Sequence, residues 1–244
     1  MRELPKGWAR VTLGDVAIWS SGGTPSRSNP DYYAGSIPWL KTGELGPRVI
    51  YKAEEHISDA AVGTSSAKVF PKGSVAIAMY GATIGRTSIL GIDAATNQAC
   101  AVGIPDAAST DFLYYFLVSQ EKRFVDAGKG GAQPNISQGI VKAWPISLPP
   151  SAEQTRIVAK LEELLSDLDA GVAELKAAQK KLAQYRQSLL KAAVEGALTA
   201  QWRAARSAPL SPGGRGAGGE GGSAAGRHPL PNPSPVKGEG LENE

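Results

Sequence analysis

The sequence predicts an α+β head followed by a long coiled-coil helix and a low-complexity tail. Three observations predict it. Residues 1–150 are a succession of short apolar runs and one amphipathic stretch, separated by turns rich in Gly, Pro and Ser, as expected of strands interspersed with helices and long loops. Over residues 151–206 leucine returns every seven residues, at Leu161, Leu168, Leu175, Leu182 and Leu189, the period of a helix that packs along its length. Residues 207–244 contain ten Gly and six Pro; such a stretch cannot bury enough apolar surface to offset its ordering entropy. The expected domains are therefore a head at 1–150, a spacer or dimerisation helix at 151–206 and a disordered tail at 207–244.

Within the head, strands are expected at Ile37–Lys41, Ser74–Tyr80, Ile84–Leu90, Ala99–Ile104 and Pro145–Leu148, each apolar and bounded by Gly, Pro or Asp. Leu13–Trp19 reads as a short helix. Asp111–Ala127 reads as a better one, because Phe112/Phe116 and Leu113/Leu117 stack at i,i+4 and Gly128 lies just past the end. After Pro149 and Pro150, the run Ser151-Ala152-Glu153-Gln154 has the S-x-x-Q form of a capping box and opens the long helix. Ile157, Leu164, Ala178, Tyr185 and Ala192 share the leucine seam, with Leu165 and Val172 beside it. Gly171 occupies a core position there, which costs about 1 kcal/mol of helix propensity relative to Ala. A helix continuous from 153 to 200 would be about 70 Å long. No other stretch of the sequence matches that length, so the expected partner of the seam is another chain. A helix folded back on the head would bury only part of it.

Composition sets limits on function. Cys100 is the single cysteine, which excludes a disulfide framework within the chain, and the only histidines, His56 and His228, stand far apart, so no protein-only zinc site is expected. No apolar run reaches membrane-span length, and the first residues lack the apolar core of a signal peptide; a soluble protein of a reducing cytoplasm, without a membrane partner, is expected. Lys and Arg number 26 against 23 Asp and Glu, and within residues 1–150 the count is 14 against 12. An indiscriminate polyanion binder would be more lopsided. Any nucleic-acid binding must come from charges arranged in space rather than in excess.

None of the catalytic motifs that the sequence approaches is complete. Gly81-Ala82-Thr83-Ile84-Gly85-Arg86-Thr87 has three residues between its glycines, where a phosphate loop has four, and Arg86 stands in the lysine position. Asn29-Pro30-Asp31-Tyr32 departs from the Asn-Pro-Pro-aromatic motif of adenine methyltransferases at Asp31, and no Gly-rich cofactor-binding turn accompanies it. Glu44, Glu54, Glu55 and Asp59 lack nuclease or metal spacing, and Glu54/Glu55 reads as a solvated face. No catalytic residue, metal or cofactor is expected.

The loops instead gather groups suited to phosphates and base edges. Ser20–Ser28 offers glycine-freed amides, hydroxyls and Arg27; Lys41 follows the IPWL strand; Tyr80–Thr87 surrounds a Gly-bounded turn with Tyr80, Thr83 and Arg86; and Gly128–Gln138 supplies Lys129, Gln133 and Asn135. Arg and Lys pair with guanine or phosphate, and Asn and Gln bond adenine through two edge atoms. These eight residues are the candidate nucleic-acid contacts by side-chain chemistry. For Asn97 and Gln98 a buried turn that satisfies backbone groups is expected.

Leu4-Pro5-x-Gly7-Trp8, then Leu13-Gly14-Asp15-Val16, then GGTPSRSNPDYYAGSIPWLKTGEL, GATIG and TNQ occur in this order. Together they resemble a target-recognition domain from the specificity subunit of type I restriction–modification systems. The run GGAQPNISQGIVKAWPISLPPSAEQTRIVAKLEELL resembles that family's junction between recognition domain and spacer helix. The resemblance covers about residues 1–200. It implies a non-catalytic subunit that reads double-stranded DNA and docks a modification methyltransferase subunit, alongside a separate restriction subunit. The usual member has two recognition domains and two spacer helices, whereas this chain has one of each. A half-subunit is implied: a homodimer or a split-gene product paired with another half-subunit through Leu161, Leu168, Leu175, Leu182 and Leu189, or a truncated remnant. The competing reading is a coiled-coil assembly protein whose head binds protein.

Overall fold

The computed structural model of the chain describes residues 3–128 and 134–206. The tail beyond Arg206 and the loop residues Lys129 and Gln133 lie outside the described residues. In chain order the elements are β1 (Ala9–Thr12), α1 (Leu13–Val16), β2 (Ala17–Ser21), β3 (Ile37–Leu40), β4 (Val49–Ile50), β5 (Glu55–Ile57), α2 (Asp59–Thr64), β6 (Val69–Phe70), β7 (Val75–Ala78), β8 (Thr87–Leu90), β9 (Ala94–Thr96), β10 (Cys100–Pro105), α3 (Thr110–Ala127), α4 (Gln138–Lys142), β11 (Pro145–Leu148), α5 (Ser151–Val194) and α6 (Ala200–Arg206). Short 3-10 turns at Pro30–Tyr33, Thr42–Glu44, Gly81–Thr83 and Ala197–Thr199 complete the order. The α+β class and the long helix agree with the expectation.

The strands form a five-stranded sheet in the order β2-β10-β7-β8-β4, a four-stranded sheet in the order β5-β3-β9-β6, and the pair β1-β11. All neighbours are antiparallel except β4 with β8 and β3 with β9. The central strands of the larger sheet are buried on both faces. Val75 and Ile77 of β7 face the α3 side with Leu113, Leu117 and Phe124, while Ala76 and Ala78 face a second cluster with Leu40, Phe70 and Val102. Two-sided burial explains why SVAIAMY is an unbroken apolar run rather than an alternating one.

Two expected elements change. Leu13–Trp19 is helical only through Val16, opens at Thr12, whose amide and hydroxyl both donate to the Asp15 carboxylate (2.7 Å each), and continues as β2. Pairing of Ala17–Ser21 with β10 overrides local helix preference and turns Trp19 inward and Ile18 outward. The strand expected from Ile84 begins at Thr87, because Gly81 and Gly85 take positive φ and Tyr80–Arg86 becomes a turn. The α3 expectation holds almost to the residue: Ser109 caps it by accepting from the Phe112 amide, and Phe112, Leu113, Leu117 and Phe124 are buried.

α5 starts at Ser151 as expected, but Gln154 does not close a capping box. Its side chain is buried, accepts from the Ser109 amide (2.8 Å) and donates to the carbonyls of Pro149 (3.0 Å) and Ala107 (3.3 Å). A buried amide is drawn to whichever partners satisfy all its groups, and here they lie in the head. The helix ends at Val194 rather than near 200, where Gly196 turns left-handed at φ +74°. Contacts divide the chain into two compact units, Met1–Gln179 and Lys180–Glu244. The division falls inside α5, whose Ile157 and Val158 pack on the core of the head.

Beyond those turns the seam is bare. Leu168 is 61% exposed, Leu175 72% and Leu182 67%, and Leu161 and Leu189 are also exposed. A side chain added at Gly171 would meet nothing within 4 Å. Among the described residues no helix is long and apolar enough to cross a membrane.

Candidate nucleic-acid interface

Backbone hydrogen bonds gather the polar loops around one turn, Thr96–Ala99 between β9 and β10. Thr96 accepts from the Gly23 amide (2.8 Å), Asn97 donates to the Leu40 carbonyl (2.9 Å), and Ala99 accepts from the Met79 amide (2.8 Å). Met79 in turn accepts from the Ile136 amide (2.9 Å). The Gly22–Ser28 loop, the start of the Lys41 turn, the Tyr80 turn and the Asn135 segment thereby share one edge of the head. The paired glycines are required there. A Cβ on Gly22 would fall 2.0 Å from the Thr96 carbonyl oxygen, and one on Gly23 would fall 2.4 Å from the Ala67 amide.

Side chains tie the same loops. Ser21 donates to Gln138 (3.2 Å), Lys68 donates to Ser20 (2.8 Å), and Thr24 bonds Gln98. Gln98 is thus exposed rather than part of a buried turn; Asn97 is half-buried and accepts from the Cys100 thiol. Burial pushes that thiol up to about 12, which leaves Cys100 an inert core residue.

The candidate contacts fall into two groups. Arg27 and Lys41 are held by acids: Arg27 bonds Glu55 (2.7 Å), and Lys41 bonds Glu55 (2.9 Å) and lies 3.4 Å from Glu54. Arg27 also rests 4.0 Å from the centroid of the Tyr33 ring and 5.4 Å from that of Trp39. The hydrogen bond from Lys41, with Arg27 adding to it against the effect of burial, holds the Glu55 carboxyl below its ordinary range; the same bond raises Lys41. Glu54/Glu55 is therefore not merely a solvated face. The antiparallel pairing of β3 with β5 sets Glu55 opposite Trp39, within reach of both cations.

Tyr80, Thr83, Arg86 and Asn135 form the second group. Tyr80 and Asn135 pair as an isolated bridge, Gly81 donates to the Pro134 carbonyl (3.0 Å), and the Thr83 hydroxyl donates to the Tyr80 carbonyl (2.9 Å). Tyr80, Pro134, Asn135, Ile136 and Ser137 line a cleft of about 290 Å³. Tyr80, Arg86 and Asn135 are exposed, and among the described residues Arg86 has no acidic partner. This group offers a free guanidinium, a side-chain amide and an aromatic face. Lys129 and Gln133, the remaining two candidate contacts, lie outside the described residues. Sequence reasoning missed the Tyr33–Trp39 shelf under Arg27, the acid pair that holds the two cations, and Lys68, for which no motif gave a signal.

The α+β head thus gathers its polar loops on one edge, and the helix that leaves it bears an exposed apolar seam. The sequence model described as "Type I restriction modification DNA specificity domain" matches residues 5–180. The chain belongs to this family. It is similar to the type I restriction enzyme EcoR124I/EcoR124II specificity subunit of Escherichia coli, 29% identical over 189 residues, covering 73% of this chain and 47% of that protein. It is also similar to the HindI specificity subunit of Haemophilus influenzae, 30% identical over 174 residues, 67% of this chain and 38% of that protein. The chain spans about half the length of the curated relatives it matches, or less. Among solved structures, the HsdS subunit from Thermoanaerobacter tengcongensis superposes with a TM-score of 0.57 at 25% identity, over 69% of this chain and 40% of that one. A chain from a type I R-M system superposes with a TM-score of 0.65 at 24% identity, over 79% and 47%, and shares the fold.

Proposed function

We propose that the chain is a DNA-reading half of a type I restriction–modification specificity subunit. In this reading residues 1–150 read one half-site of double-stranded DNA. Residues 151–206 act as spacer and as docking surface for a second half-subunit, either a copy of this chain or a different one. A modification methyltransferase subunit and a restriction subunit supply all catalysis, in the cytoplasm, and this chain contributes none and carries no cofactor. The observation that supports the reading is the match to a DNA specificity domain over 5–180. The chemistry of the Tyr80–Arg86 turn agrees, since a guanidinium and an amide on one edge suit phosphate and base atoms. Lys129 and Gln133 are proposed as further DNA contacts on their side-chain chemistry alone.

The test is a gel shift of the chain with its methyltransferase subunit on a random DNA library, repeated across salt. Selective binding that weakens with salt is expected, and Arg86→Ala is expected to cost about 1–3 kcal/mol if the guanidinium reads a base. A complex with no sequence preference contradicts the reading.

The acid cage gives an opposite prediction. Glu55→Gln removes the carboxylate shared by Arg27 and Lys41 and frees two cations for phosphates. Binding to non-cognate DNA should tighten at low salt, and the slope of log K against log salt should steepen by up to about 2. An unchanged slope would show that neither cation approaches the DNA.

A further inference from the structure

The route by which α5 leaves the head is pinned at more than one point. At its base the Trp8 indole donates to Glu153 (3.1 Å), and the Gln154 amide, 1% exposed, holds the Ser109 amide and the carbonyls of Pro149 and Ala107. Further out, Arg48, from the segment before β4, bonds Asp111 of α3 (2.8 Å) and Glu162 of α5, with its guanidinium 5.3 Å from the centroid of the Tyr115 ring. Glu153 and Glu162 are nine residues apart, about two and a half turns, so Trp8 and Arg48 grip opposite faces of the helix. The two grips are separated by about 14 Å along the axis.

A rod held at its base alone can swing, whereas one held at two points keeps its direction. The leverage is large enough to matter to DNA. The helix from 162 to 179 extends about 25 Å past the outer grip. A swing of about 10° would move that end by about 4 Å, more than the rise of one base pair, about 3.4 Å.

We infer that Arg48 is a positioning residue for half-site spacing: by clamping Asp111 to Glu162 it fixes the direction of the spacer helix and thereby narrows the gap that two paired heads accept. The inference rests on the recognition function proposed above. Arg48 touches no proposed DNA contact. Arg48 and its two ionic partners, Asp111 and Glu162, are all part-exposed, so its removal leaves no buried charge unpaired and the head should still fold.

The test uses the full chain assembled with its methyltransferase subunit and a DNA library in which the half-site bases are fixed and the gap between them varies. Arg48→Met is expected to lower the preference for the best gap over gaps one base pair longer or shorter by about fivefold, the scale of one lost ion pair, with the half-site bases unchanged. Glu162→Gln, at the helix end of the clamp, should do the same in part, and Arg48→Lys should recover much of the selectivity. Wild-type gap selectivity in both Arg48→Met and Glu162→Gln overturns the inference alone, as does a change in the bases read. A wild-type complex with no half-site preference overturns the recognition reading, and this inference with it.

Discussion

Replacing Leu168 and Leu175 together with glutamate should abolish pairing through the helix while leaving the head folded. Both side chains are more than half exposed in the single chain, so a substitution there removes no contact within it. In a symmetric pair four leucines lose their burial, at about 1.5–3 kcal/mol each, or about 6–12 kcal/mol in all. A micromolar association is worth about 8 kcal/mol, and four carboxylates would be forced into the seam as well. Sedimentation should show the double variant as a monomer, with the thermal unfolding of the head unchanged. A wild-type chain that is itself monomeric and also ignores its methyltransferase subunit would remove the reason for the seam.

The largest effect on the head should come from Trp39→Ala. Trp39 is 2% exposed, its indole donates to the Gly23 carbonyl (3.0 Å), and its ring meets Tyr33 edge-on at 5.8 Å. Removing a buried Trp costs about 3–5 kcal/mol, a large share of a domain's stability. It also withdraws the floor beneath Arg27 and the tie that seats the Gly22–Ser28 loop, so DNA selectivity should fall more than bulk stability alone predicts. Trp39→Phe separates the two effects: it keeps most of the packing and loses only the bond to Gly23. Urea unfolding and library selection on the same variants measure the pair. A Trp39→Phe complex with wild-type selectivity would show that the loop is seated without the indole.

How much was legible in the sequence depended on where each signal lies. The seam was readable because its period is written along one helix, from Leu161 to Leu189, and α3 because its apolar pairs recur at i,i+4. Strands β7 and β10 were readable as apolar runs. By contrast β4 and β6 are two residues long, too short to show any period, and β2 exists because β10 pairs with it. Gln154 looked like a cap because its spacing from Ser151 fits one; its partners at Ala107 and Ser109 are set by tertiary packing.

The candidate site shows the same division. Each loop was recognisable by its Gly, Asn, Ser and basic residues, but their convergence on Thr96–Ala99 is made by bonds between distant segments. Glu55 was misjudged for the same reason, since only the β3–β5 register sets it beside Lys41. The distinction between a caged pair, Arg27 and Lys41, and an open guanidinium, Arg86, is thus structural information that composition does not hold.

The central proposal is that this head and a second one, held apart by paired helices, read one DNA target; in the symmetric case the second head is a copy of this chain. An antiparallel pair about a two-fold axis puts the heads at opposite ends, where they read the same short sequence on opposite strands. Methylome sequencing of cells with and without the gene tests this most directly. The account predicts gene-dependent methylation of an interrupted palindrome with a fixed gap. An asymmetric two-part target would contradict pairing of identical chains, and a methylome that does not change with the gene would contradict the recognition function itself.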